Sequence, residues 1–167
     1  MVTMRFVSLV VAGLSSTLAA AAAAQQTCDG GASCQLTVSA TATINSVARL
    51  SISATSTTLA TPSTADFGNA AGVASSGPTL TVKANAGYTL TASAGAGTWT
   101  GGGNNKPATD LKMKVNGGTL TALGQVAQST TATAGTTYAI AYNTIYNWTT
   151  DAPGSYSLVV KYTLSAP

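Results

Sequence analysis

The feature that most constrains this chain is the alternation of apolar and polar residues in its last segment. Between residues 156 and 164 an apolar side chain stands at every second position, and polar residues fill most positions between them. A period of two places alternate side chains on opposite faces of a β-strand. The segment therefore predicts a long strand whose buried face holds Tyr156, Leu158, Val160, Tyr162 and Leu164, with Val159 out of pattern.

The same alternation recurs in shorter segments, and no helical stripe follows residue 24. Turn formers separate several segments, and Asn116-Gly117-Gly118 predicts a hairpin in which 111–115 folds back onto 119–123. The strand candidates carry these apolar residues: Leu36, Val38, Ala40, Ala42 and Ile44; Leu50 and Ile52; Leu80, Val82 and Ala84; Tyr88, Leu90 and Ala92; Leu111, Met113 and Val115; Tyr138, Ile140 and Tyr142.

Many short strands without helices between them predict an all-β fold. We expect an antiparallel Ig-like β-sandwich with Greek-key connections. A small β-barrel produces the same alternation and is the alternative architecture. The length favours one folded domain, so the expected organisation is a signal peptide at 1–24, an N-terminal segment at 25–35 and a single sandwich domain at 36–167.

The first residues have the three parts of a bacterial secretory signal peptide. Arg5 precedes an apolar run over 6–18, and small residues fill 19–24. Cleavage after Ala24 would send the protein to the periplasm, the cell surface or the medium, with no membrane span left. In that compartment Cys28 and Cys34 are expected to close a small disulfide loop.

The composition argues against catalysis. The chain has no histidine, and its four acidic residues are the isolated aspartates Asp29, Asp66, Asp110 and Asp151. General acid–base chemistry needs a titratable group near the working pH with a partner close by. We therefore expect no enzyme, no catalytic, metal or cofactor-binding residues and no cofactor. The few positive charges are spread along the chain, which argues against nucleic acid as a partner.

Trp99 and Trp148 are the candidate ligand-stacking side chains. Either could form a platform for a sugar ring if it were exposed beside Asn104, Asn105 or Asp110. The alternative, which we favour for both, is that they are large core side chains. Carbohydrate binding therefore depends on an exposed tryptophan.

Three short motifs in order resemble a known group of proteins. Asp66-Phe67-Gly68 comes first, an Asn-x-Gly turn at 85–87 lies between two strand candidates, and Gly154-Ser155-Tyr156 leads into the last strand. This order resembles the secreted bacterial β-sandwich proteins of the spore coat protein U and chaperone–usher pilin type, and related uncharacterised exported domains. The resemblance implies an Ig-like subunit or adhesive component of a surface structure, although Cys28 and Cys34 do not bridge distant strands as in pilins.

Assembly of that kind requires a segment that completes the sheet of a neighbouring subunit. The candidate strand-exchange segment carries Leu36, Val38, Ala40, Ala42 and Ile44, and the alternative is that it forms the first strand of its own sandwich. The leading hypothesis is a non-enzymatic exported structural or adhesion protein of the bacterial cell surface, such as a fimbrial or coat-like subunit, that associates with itself or a related subunit through strand edges. A small secreted carbohydrate- or surface-binding module is the alternative.

Overall fold

The computed structural model describes residue 31, residues 35–102 and residues 105–167. The expected signal peptide and the pair Cys28 and Cys34 lie outside the described residues. The compact folded unit is Thr43–Pro167. Its described residues contain short 3₁₀ turns at Thr64–Asp66 and Ala108–Asp110 and ten strands, which are β1 (Ala48–Ile52), β2 (Val73–Ala84), β3 (Tyr88–Ala94), β4 (Thr100–Gly101), β5 (Leu111–Val115), β6 (Thr121–Ala122), β7 (Gln125–Ser129), β8 (Thr133–Thr144), β9 (Tyr156–Ser157) and β10 (Val160–Ser165).

The strands form two main antiparallel sheets. The first has the order β1-β2-β8-β5-β6, the second has the order β10-β3-β7, and β4 pairs with β9 in a small ribbon. The sheets do not close on one another, so the predicted sandwich is confirmed and the barrel alternative is wrong. The chain passes repeatedly between the two sheets, as it does in Greek-key sandwiches. It does so from β2 to β3, from β3 through β4 to β5, from β6 to β7, from β7 to β8 and from β8 through β9 to β10.

Six of the ten described strands take positions that have counterparts in the constant-type Ig sandwich. There, strands A, B, E and D form one sheet and C, F and G form the other. Here β1, β2, β8 and β5 take the positions A, B, E and D, while β3 and β10 take the positions C and F. In the described part of the chain, the position of strand G beyond β10 is empty.

The core lies between the inner faces of the two sheets. Leu80, Val82, Leu90 and Met113 are 0% exposed, and they come from strands of both sheets. Burying such a side chain contributes roughly 1.5–3 kcal/mol. The alternation at these positions predicted their burial correctly.

The predicted hairpin between β5 and β6 is also present. Met113 pairs with Thr121, and Asn116 and Gly117 have φ values of 52° and 70° between them. Two successive positive φ values match the type of turn that Asn-Gly favours. By contrast, β7 had no sequence signal, because Val126 is its one fully buried residue.

Candidate functional site

A groove of about 950 Å³ opens at the edge of the sandwich. One wall is the segment 54–62, which follows β1, and the other is the segment 151–160, which leads into β10. The core side chains of Trp99, Leu111 and Tyr142 line it as well. The groove is therefore a mostly apolar cleft between two segments that lie largely outside the strands.

β10 reaches this opening at its first residue, Val160, and one edge of β10 is unpaired within the described residues. It pairs with β3 along its whole length, from Val160 opposite Ala94 to Ser165 opposite Thr89. Within the described residues no strand pairs with its other side. Unpaired backbone N–H and C=O groups at a sheet edge are a template for pairing with another segment.

The inner face of the 156–164 segment is only half covered. Tyr156, Leu158, Val160, Tyr162 and Leu164 are partly buried and pack against the core, whereas the residues between them are exposed. The predicted buried face is therefore confirmed, and Val159, on the outer face, is 66% exposed. The prediction of one long strand over this segment is wrong, because residues 156–157 form β9 in the ribbon with β4 and residues 160–165 form β10 beside β3, with 158 and 159 in neither strand. Leu90, opposite Leu164 on the central strand β3, is 0% exposed. This difference in exposure between Leu164 and Leu90 is what we expect if no strand covers the free side of β10.

The segment 54–62, on the opposite wall of the groove, also has few backbone hydrogen-bond partners among the described residues. The described residues connect this segment to β2 through isolated bonds: the Ser53 N–H donates to the Thr79 carbonyl at 3.0 Å, and the Ala60 N–H donates to Ser75 Oγ at 2.8 Å. β1 pairs with only the second half of β2, from Leu80 onward. The backbone of 54–62 therefore belongs to no strand.

The candidate strand-exchange segment has no strand in this structure. Residues 35–47, which contain Leu36, Val38, Ala40, Ala42 and Ile44, are exposed and form no strand. Val38 and Ile44 are 91% and 84% exposed. The first strand of the sandwich begins later, at Ala48.

A tyrosine pair ties the two sheets together beside the groove. Tyr142 on β8 and Tyr162 on β10 have their hydroxyl oxygens 2.5 Å apart. Desolvation by burial raises the pKa of both phenols above the ordinary value, and the contact with Tyr142 raises the pKa of Tyr162 further. The pair stays protonated at any physiological pH, so the two sheets are joined here by an uncharged hydrogen bond.

The two tryptophans have opposite environments. Trp99 is 6% exposed, and its indole N–H donates to the Pro107 carbonyl at 3.1 Å. Trp148 is 64% exposed and stacks on Phe67, with the ring centroids 4.5 Å apart. Our prediction that Trp148 is a core residue is therefore wrong. Trp148 lies in a turn region, Asn147–Asp151, that carries it outside the sheets.

Two of the three glycine-containing motifs, those at 66–68 and 154–156, have packing roles. In the first, Ser63 N–H and Oγ donate to Asp66 Oδ2 at 2.7 and 2.6 Å, which lowers the pKa of Asp66. Gly68, with φ of +82°, donates its N–H to the Tyr146 carbonyl at 2.8 Å. The motif thereby fixes Phe67 under Trp148.

In the second motif, the Tyr156 hydroxyl donates to the Ala152 carbonyl at 2.6 Å. Gly102 has φ of +72°, and a Cβ on it would overlap the Tyr156 ring. Gly154 packs so closely on Gly102 that its own Cβ would lie 2.8 Å from the Gly102 Cα. These contacts hold the groove wall at 152–156 against Gly102.

A buried charged cluster lies next to the groove and was not predicted. Lys106 is 0% exposed, and its Nζ lies 2.9 Å from Asp110 Oδ2 and 2.6 Å from Asp151 Oδ2. The backbone N–H of Asn147 also donates to Asp151 Oδ2, at 3.0 Å. The four-residue spacing from Lys106 to Asp110 was the one signal available for this contact.

Other predicted site features are not brought together. Asn105 is exposed, and Asn104 lies outside the described residues. Among the residues that the structure describes, no three His, Cys, Asp or Glu side chains meet as a metal-binding group. No described helix is long and apolar enough to cross a membrane.

Comparisons of this chain with protein-family models, with curated proteins and with solved structures found no match. The fold and the geometry of the groove therefore carry the functional argument that follows.

Proposed function

We propose that this protein is a non-enzymatic structural subunit of a bacterial surface assembly, and that copies join by strand addition at the groove. The observation that carries the proposal is that, among the residues the structure describes, no strand takes the position of strand G beside β10, although six other strands follow the Ig order. A donated strand there would satisfy the free edge of β10 and cover the half-buried faces of Val160 and Leu164.

The occupant that fits is the segment 36–44 of a second copy. It spans nine residues with five apolar side chains at alternate positions, and β10 offers an edge of six residues, Val160–Ser165, that has no strand partner among the described residues. At about 3.3 Å per residue, the donor is long enough to pair with the whole of β10. The donor is exposed in the free chain, so insertion would bury apolar surface that is now in water.

The test is the assembly state of the purified exported protein, measured by light scattering and negative-stain microscopy. A truncation that starts at Asn45 removes the donor but keeps two contacts to Asn85, from the Asn45 carbonyl and the Val47 N–H. We expect filaments or oligomers of the full protein and a folded monomer of the truncation. A full protein that stays monomeric, with a truncation that unfolds, would mean that the segment completes its own sandwich.

Two substitutions sharpen this test. Val38→Asp places a carboxylate on the apolar face of the donor, whereas Ser39→Asp places the same charge on the other face. Both residues are exposed in the free chain, so both variants should fold equally well. We expect Val38→Asp to abolish assembly and Ser39→Asp to preserve it. Equal loss in both would point to net charge instead of strand insertion.

The exposure of Trp148 favours a second candidate function, a carbohydrate- or surface-binding module. Trp148 offers a free aromatic face, supported by Phe67 and close to Tyr146. Sugar rings stack on such faces through apolar C–H contacts. A glycan-array screen tests this, with Trp148→Ala as the variant that should lose binding and Trp99→Phe as a control at the buried position.

A further inference from the structure

The ion pair between Lys106 and Asp151 lies in the protein interior. The side chain of Lys106 is 1% exposed, and the side chain of its closer partner, Asp151, is 3% exposed. Taking an ammonium and a carboxylate out of water costs several kcal/mol per ion unless their remaining bonds are satisfied. One oxygen of this pair, Asp151 Oδ1, is buried and has no hydrogen-bond donor among the described residues.

An amine nitrogen, Lys106 Nζ, and a backbone hydrogen-bond donor, the Asn147 N–H, both contact the carboxyl group of Asp151. Because Oδ2 is bonded to Cγ, a nitrogen 2.6 Å from Oδ2 lies within about 4 Å of Cγ, close to the ~3–3.5 Å at which reacting atoms meet. The Asn147 N–H donates to the same Oδ2 at 3.0 Å, where it would stabilise negative charge developing on that oxygen.

Asp110 completes the group. Its Oδ2 lies 2.9 Å from Lys106 Nζ, and its side chain is 20% exposed, far more than that of Asp151. It can therefore accept a proton from the nitrogen while it keeps some contact with water. The ring of Tyr146, whose centroid lies 4.8 Å from Nζ, covers another side of the amine.

We propose that Lys106 and Asp151 form an intramolecular isopeptide bond. The Nζ–Cγ bond forms and one Cγ–O bond breaks. Of the three ammonium protons, one stays on the amide nitrogen, and Asp110 relays the other two to the departing oxygen, which leaves as water. No oxidant, reductant or cofactor is required, and the reaction removes one buried cation and one buried anion. The remaining amide N–H can donate to the Ile145 carbonyl, which already accepts from Nζ.

This cross-link does not depend on strand exchange. It would join Lys106, in the loop before β5, to Asp151, which lies before β9 and lines the groove. The two residues are 45 positions apart in the chain. A covalent tie across a long loop restricts the unfolded chain. The cross-link would provide a covalent tie within the folded domain, whereas the two cysteines of the chain, Cys28 and Cys34, both lie near its N-terminus.

The test is the intact mass of the exported protein, with its N-terminus sequenced and its cysteines reduced. We expect a mass lower than that of the sequence by one water molecule, and a linked peptide pair containing Lys106 and Asp151 in fragment spectra. Lys106→Arg keeps the positive charge and should restore the full mass. Asp110→Ala should reduce the linked fraction at least tenfold while Lys106 and Asp151 remain.

Other reactions that lose mass are distinguished by fragmentation. A succinimide at Asp29-Gly30 also loses water, and an N-terminal glutamine that cyclises loses ammonia. A deficit located at either position, or the full sequence mass in protein with a native circular dichroism spectrum, would overturn the proposal and leave a buried ion pair. The wild-type spectrum decides this even if a variant fails to fold.

Discussion

The hydroxyl oxygens of Tyr142 on β8 and Tyr162 on β10 lie 2.5 Å apart and join the two sheets at the open edge of the sandwich. Replacing either residue with phenylalanine leaves the other hydroxyl without its partner, which should cost about 1–3 kcal/mol. The double phenylalanine variant should lose less than the sum of the single variants. Urea unfolding of the four proteins measures this, and strictly additive losses would show that the hydroxyls do not interact.

Alkaline pH should weaken the fold through the tyrosines. Burial, together with the hydrogen bond and charge interaction with Tyr88, raises the pKa of Tyr138 to about 12. An unfolded tyrosine loses its proton near pH ~10, so the folded state holds the proton more tightly. The contribution to the free energy of unfolding is therefore complete below about pH 10 and is lost as the pH rises through about 12. Urea unfolding across this range should show a smaller decline for Tyr138→Phe, and equal declines would refute the assignment.

The two neighbouring valines before and at the start of β10 provide a matched pair. Val160 is half-buried on the inner face, whereas Val159 is 66% exposed. Val160→Asp places a carboxylate against the core and should lower the free energy of unfolding by about 1–3 kcal/mol. Val159→Asp should change it by less than about 0.5 kcal/mol. Similar midpoints in urea would mean that the inner face of this strand has been misidentified.

The tryptophans should respond in opposite ways to truncation and to quenching. Trp99→Ala removes a buried side chain and should cost about 3–5 kcal/mol. Trp148→Ala loses mainly its stacking on Phe67, which is worth about 0.5–1.5 kcal/mol. Acrylamide should quench the fluorescence of the Trp99→Phe variant more strongly than that of Trp148→Phe. The reverse order would place Trp148 in the core.

The parts of the fold that were predictable are those that depend on local pattern. Alternation identified the inner faces around Leu80, Leu90 and Val160, because burial on one face of a strand leaves a period-two signature. The same reasoning failed for Trp148, since residue type alone does not show whether a turn carries an aromatic side chain outward. It also missed Lys106, because its burial depends on Asp151, which is distant in sequence and is brought near by the fold.

The open groove was not predictable either. The sequence of 36–44 alternates whether the segment pairs with its own chain or with another, and strand order is not encoded in the alternation of single strands. The position beside β10 became visible only when the sheet order placed β10 at an edge. Its occupant is therefore the central question for this protein.

The most direct measurement is the binding of a peptide of residues 35–45 to the protein that starts at Asn45, with amide exchange followed in β10. Strand addition predicts saturable binding, slower exchange in β10, and a gain of about 2.7 kcal/mol in the free energy of unfolding at a peptide concentration 100 times its Kd. The same peptide with Val38→Asp should not bind. A folded truncated protein that ignores the wild-type peptide, with exchange in β10 unchanged, would contradict strand addition at this edge.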